Sequence, residues 1–179
     1  MNAQTTNYYP TTFLNESGNE NRENLKEYGI KHMLGRAEDF EFFMNYGPND
    51  DPEETKDNLR GEDLSFSEMR NLLFKIDDLP EFFNYGLCFD FVEVGTFNDQ
   101  NEGYYRYQLS WGGPSEEIRF YHDGRIEFVF LDWFVGVGFD VTGEDWAEWL
   151  SEWFTDVGLI DWESLSPEQI YSFDEEEEL

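Results

Sequence analysis

Apolar and polar positions alternate in steps of two through the middle of the chain. Leu87, Phe89 and Phe91 alternate with Cys88, Asp90 and Val92. Tyr105, Tyr107, Leu109 and Trp111 alternate with Arg106, Gln108 and Ser110, and Ile118 and Phe120 with Arg119 and Tyr121. Beyond Asp123-Gly124, the residues Ile126, Phe128 and Phe130 alternate with Glu127, Val129 and Leu131. A strand turns successive side chains to opposite faces, so period two in aromatic and β-branched residues predicts half-buried strands. The Asp-Gly pair predicts a hairpin, because a type I′ turn needs positive φ. Val135, Val137, Phe139 and Val141 predict a further strand at a sheet edge, where Gly136 and Gly138 weaken it or mark a close backbone approach.

Near Thr142 the period changes. Trp146, Trp149, Leu150, Trp153, Phe154 and Val157 fall on one face of a helix over 142–157. Thr142 is the expected cap of its first turn, and Gly158 the expected residue just past its end. The opposite face carries Asp145, Glu148, Glu152 and Asp156, with no Lys or Arg among them.

Upstream the signals are weaker. Met1 to Asn21 is polar and reads as a loose arm, either anchored on the core by Tyr8 and Tyr9 or disordered. Arg22 to Tyr46 predicts helix in two pieces broken near Gly35. The breakers between Gly47 and Glu62 predict a loop that divides this helical part from a main domain over 63–173. Ser65-x-x-Glu68 is a capping box opening a helix to Asp78, whose buried side is Met69, Leu72, Leu73 and Ile76. Ser166-Pro167-Glu168 predicts one helical turn with Pro at its first position. Asp174 to Glu178 form an acidic tail over 174–179. Together these elements predict an α+β fold. An antiparallel sheet of four to five strands carries the C-terminal amphipathic helix, and the N-terminal helices cover another side or an edge.

Charge alters the picture more than length does. The 179 residues hold 41 Asp and Glu against 11 Lys and Arg, a formal net charge of −30. Disorder pairs high charge with few aromatics, but aromatics make up 19% of this chain, enough to build a core. After Arg125 there are 54 residues with 16 acids and no Lys or Arg. Phosphate binding needs Lys and Arg, so the balance excludes nucleic acid as a direct partner and disfavours an anionic membrane surface. It favours a basic partner. A single Cys88 excludes an internal disulfide framework. Without a leader pattern or an apolar run of membrane-spanning length, the expected location is the cytoplasm.

The search for chemistry returns little. His32, His122 and Cys88 lack the spacing of a zinc site. Asp99, Asn101 and Gly103 fall short of a calcium loop, and Asp50, Asp51, Glu53 and Glu54 are a solvated acidic loop. Asp132 is the one acid that stands out for acid–base work, and a surface or capping role suits it better. No phosphate-cradling loop or nucleophile elbow is present. The expectation is a protein that is not an enzyme, with no cofactor and no metal.

The acids themselves offer a surface. Helix positions three and four apart lie about 5–6 Å from one another. Duplex DNA carries one charge per about 1.7 Å of axis, so thirty net charges match about 50 Å of duplex. The expected contact row is Asp145, Glu148, Glu152 and Asp156, extended by Asp161, Glu163 and the tail acids Asp174, Glu175 and Glu176. Trp162 and exposed Tyr or Phe side chains are its expected apolar anchors. In size, charge, aromatic content and acidic helix rows, the chain resembles the small acidic DNA-mimic inhibitors of phages and mobile elements, of the antirestriction and anti-CRISPR type. The resemblance implies occupation of the nucleic-acid-binding cleft of a host defence nuclease, a CRISPR-Cas complex or a restriction enzyme, inside a bacterial cell. Leu109-Ser-Trp-Gly-Gly-Pro114 and Phe130-Leu-Asp-Trp-Phe134 also resemble sequences of uncharacterised phage and plasmid proteins, which implies a mobile-element origin. The other reading of the charge is an acidic adaptor or chaperone for a basic protein that leaves nucleic-acid binding open.

Overall fold

A computed structural model describes residues 8, 10–14, 19–46, 56, 64–78, 82–98, 100–133 and 135–172. Its centre is one antiparallel sheet of six strands. These are β1 (Pro10–Leu14), β2 (Cys88–Val92), β3 (Tyr104–Ser110), β4 (Ser115–Tyr121), β5 (Ile126–Asp132) and β6 (Val135–Asp140). The order β1-β6-β5-β4-β3-β2 is a plain meander with the first strand added beyond the last. Short connections explain the meander, since antiparallel neighbours need only a tight turn. The expected hairpin forms at Asp123-Gly124 but not through a type I′ turn: Gly124 takes φ +88° while Asp123 stays out of the positive-φ region, the Gly124 N–H donates to the Tyr121 carbonyl, and the Tyr121 N–H donates to the Arg125 carbonyl.

Two expectations about the sheet are corrected. Pro10–Leu14 belongs to the sheet rather than to a loose arm, pairing Phe13 with Val137 and Leu14 with Gly136. The strand at 135–140 is therefore not an edge; β1 covers it. Polar Thr11 and Thr12 gave no alternating signal of their own, and the pairing needs a partner more than 120 residues away that no local pattern reveals.

Four helices are seen among the described residues: α1 (Asn19–Tyr46), α2 (Phe66–Asp78), α3 (Asp145–Asp156) and α4 (Pro167–Ile170). α1 runs unbroken through Gly35, against the expected break. A lone glycine lowers helix propensity without ending a helix, and the length of α1 is fixed by packing. Its other glycine does the structural work. A methyl at Gly29 would stand 2.7 Å from the side chains of Val137 and Phe139, so α1 lies directly on β6 there. The capping box of α2 forms: the Ser65 N–H donates to Glu68 Oε2 at 2.8 Å, and the Glu68 N–H donates to Ser65 Oγ.

α3 starts three residues later than expected. Glu144 holds its cap position, and Thr142 instead clasps β5: its hydroxyl accepts from the Ile126 N–H at 2.9 Å. The C-terminal signal holds, with Gly158 at φ +76°. The inner face of α3 buries Trp146, Ala147, Leu150 and Phe154, while Trp149 and Trp153 are half-buried against the same core. Val157, expected on that face, is exposed at the helix end. Trp146 stacks on Phe40 of α1 with ring centres 5.6 Å apart, and Phe154 meets Phe89, Tyr107 and Phe120. Offset and edge-on aromatic pairs of this kind add about 0.5–1.5 kcal/mol beyond area burial.

The opposite face of the sheet is also closed, which simple alternation does not predict. Tyr104, Glu117, Glu127 and Val129 are buried there. Arg119 bonds Glu117 at 2.6 Å and lies 4.6 Å over the Tyr104 ring, and Arg106 pairs with Asp90. Glu127 fills the space over Gly138, where a methyl would fall 2.3 Å from its carboxylate oxygen, and accepts from Thr11 Oγ1 at 2.6 Å. A buried charge persists only when paired and hydrogen-bonded, and this network satisfies that condition.

Candidate functional site

The placement of the basic side chains defines the character of the surface. Arg36 donates through Nε to Glu116 at 2.8 Å, and its Nη2 bonds the same oxygen. Lys75 pairs with Asp39 at 3.1 Å. Arg106 grips Asp90 through two bonds of 2.9 and 2.6 Å. Arg119 is held by Glu117, and Arg125 by Asp123 and Glu102. The Arg106 pKa is raised by its bond to Asp90. Burial alone would lower that of Arg119, but Glu117 and the neighbouring Tyr104, Tyr121 and Glu127 raise it. Each of these cations is thus spent on a carboxylate of its own chain.

α3 presents the opposite case. Asp145, Glu152 and Asp156 are exposed along its outer side, and Glu148 is half-buried. The row spans about 16 Å at the helical rise of 1.5 Å per residue. Glu148 differs from the other three because its carboxylate accepts the Gly143 N–H at 2.8 Å. Beyond α3, Asp161 and Glu163 are exposed. The Asp161 backbone is fixed on both sides by Tyr105, whose hydroxyl donates to its carbonyl at 3.0 Å and accepts its N–H at 3.2 Å. Trp162, an expected apolar anchor, is only partly exposed. It is half-buried edge-on between Tyr105, His122 and Phe91, with ring centres at 4.8, 5.3 and 6.1 Å. An indole that close to a tyrosine gains more from the core than from water. Asp174, Glu175 and Glu176 lie outside the described residues, as do Asp50, Asp51, Glu53, Glu54 and Asp99.

One feature was missed from the sequence. An open cleft of about 510 Å³ is lined by Lys31, His32, Arg36, Asp39, Ser110 and Glu116. Glu116 shares the parity of Ile118 and Phe120, so it occupies a core position and its side chain is only 4% exposed. His32 Nδ1 and Arg36 both bond it, and Arg36 Nη1 also donates to the Tyr85 hydroxyl at 3.0 Å. The parity was the available signal: a carboxylate on the apolar face of a strand needs partners from the element above. The arrangement neutralises the carboxylate.

The other candidate groups are dispersed. His32 is on α1, while Cys88 and His122 sit beside opposite ends of β3. The exposed His122 bonds the Tyr171 hydroxyl at 2.7 Å. Asp132 is exposed at the end of β5. Among the described residues no helix is long and apolar enough to cross a membrane. No family model, curated protein or solved structure matches this chain.

Proposed function

We propose that the protein is an acidic DNA mimic that occupies the nucleic-acid-binding cleft of a host defence nuclease, a CRISPR-Cas complex or a restriction enzyme. The observation that carries this reading is the asymmetry of charge. Arg36, Lys75, Arg106, Arg119 and Arg125 are neutralised by intramolecular pairs, whereas the outer face of α3 holds carboxylates at helical spacing with no basic neighbour on the helix. A basic cleft would exchange its counterions for these carboxylates, as it does for phosphates.

The test starts with capture of basic proteins from a bacterial lysate by the purified chain, washed in rising salt. A captured nuclease should be displaced by duplex DNA, and log affinity should fall linearly with log salt. Glu152→Lys combined with Asp156→Lys, which spares the Glu148–Gly143 bond, should weaken binding at least about tenfold without lowering the melting temperature, since exposed charges contribute little to stability. Unchanged affinity would remove α3 from the interface. Capture of a protein that still binds DNA in the complex would favour the adaptor.

A further inference from the structure

We infer that Trp111 and Trp133, on adjacent hairpin tips, form the aromatic anchor of the partner interface and stack against arginine side chains of the partner. This deepens the proposed function and rests on it, since it assumes a basic partner.

Three observations converge. Trp111 is 76% and Trp133 82% exposed, the most exposed of the large apolar side chains described. Asp132 pairs with Val135, so β5 and β6 are joined by a tight connection that opens with Trp133. Trp133 takes φ +55° there. Two-residue turns with positive φ select Asn, Asp or Gly, because a Cβ crowds the backbone there. Tryptophan is the wrong residue for the turn and gains little burial in return. A broken local rule with so little packing to offset it marks a position kept for something outside the fold. Finally, the neighbouring β3–β4 turn is shaped to accept this ring. A methyl at Gly113 would stand 3.1 Å from Trp133 Nε1 and 3.3 Å from Cε2, so the indole rests on the glycine backbone and joins the two tips into one patch.

The partner's chemistry follows from charge. The patch belongs to a chain of net charge −30, and the exposed carboxylate of Asp132 directly precedes Trp133. An indole face is the best aromatic acceptor for a cation, and guanidinium stacks on it while keeping N–H groups free for a carboxylate such as Asp132. An arginine-bearing surface satisfies the ring and the acid together.

The probes are nona-arginine and nona-lysine peptides, titrated into the ¹⁵N-labelled full chain at low salt. The indole N–H signals of Trp111 and Trp133 are assigned through W111F and W133F. Those two signals should move with nona-arginine, and less with nona-lysine, while those of Trp146, Trp149 and Trp153 stay. Each ring lost to alanine should weaken nona-arginine binding about twofold to fivefold. Trp133→Asn should weaken binding equally while raising the melting temperature by about 2–4 °C, because the turn then has the residue it prefers. Binding that leaves both signals and the affinities of the variants unchanged overturns the anchor and leaves the acidic-row reading standing. Equal shifts with the two peptides overturn the arginine assignment. No binding of either peptide overturns both the anchor and the proposed function.

Discussion

Trp146 and Trp133 belong to the same small α+β body, and the fold treats them in opposite ways. Trp146 is 3% exposed, stacked on Phe40, and set by a helix whose inner face was spaced to receive it. Trp133 is almost fully exposed on a turn that disfavours it. The first is explained by folding alone. The second is not, and neither is Trp111. A protein dense in aromatics therefore holds two populations: one closes the core between α1, α3 and the sheet, and the other stands at one end of the sheet. Charge divides the same way, with Arg36, Lys75, Arg106, Arg119 and Arg125 drawn into pairs and the α3 carboxylates left outside.

The largest expected effect tests this division directly. Trp146→Ala should cost about 3–5 kcal/mol, by the usual penalty for truncating a buried aromatic ring. Trp111→Ala should change stability by less than about 0.5 kcal/mol. Urea unfolding of the two variants checks this, and equal losses would erase the distinction.

Alkaline pH probes the packed population next. Burial pushes the phenols of Tyr104 and Tyr107 up to about 12. Below the ordinary tyrosine value of about 10, both are neutral whether the chain is folded or not. Between about 10 and 12 the unfolded chain ionises them while the folded one keeps them neutral, so stability is complete below about pH 10 and is lost as pH rises toward 12. Each ring contributes at most about 3 kcal/mol to the loss. Urea midpoints measured from pH 8 to 12 should fall in that window, and a flat profile would contradict the burial.

Two glycines of α1 give the smaller contrasts. Gly29→Ala drives a methyl into Val137 and Phe139 and should cost about 1–3 kcal/mol, seen as a lower denaturation midpoint. Gly35→Ala meets nothing within 4 Å and should stabilise by about 0.5–1 kcal/mol through helix propensity. The reverse order would mean that α1 is indeed interrupted near Gly35 and does not rest on β6.

Much of this architecture was legible before any coordinates. Alternation located β2 to β5, Asp123-Gly124 located their hairpin, and the 3.6 period of Trp146 to Phe154 oriented α3. These are signals within one element, set by the direction in which successive side chains point. Several other features were invisible for a common reason. β1 acquires its role only from β6, Thr142 from Ile126, Trp162 from Tyr105, and Glu116 from His32 and Arg36 on α1. In each case the partner lies far along the chain, and local propensity carries no information about it.

The site divides along the same line. Sequence alone determined the net charge of −30, the basic-free C-terminal third and the acidic outer row of α3, because charge and helical spacing are properties of residues in order. Only the tertiary structure decided which charges remain available. It spent Arg36, Arg106 and Arg119 on Glu116, Asp90 and Glu117, turned Trp162 inward, and left Trp111 and Trp133 outside. The physical reason is desolvation: a charge or a ring is removed from water only where the fold supplies a partner, and that partner can lie two residues away, as Glu117 does from Arg119, or 80, as Glu116 does from Arg36.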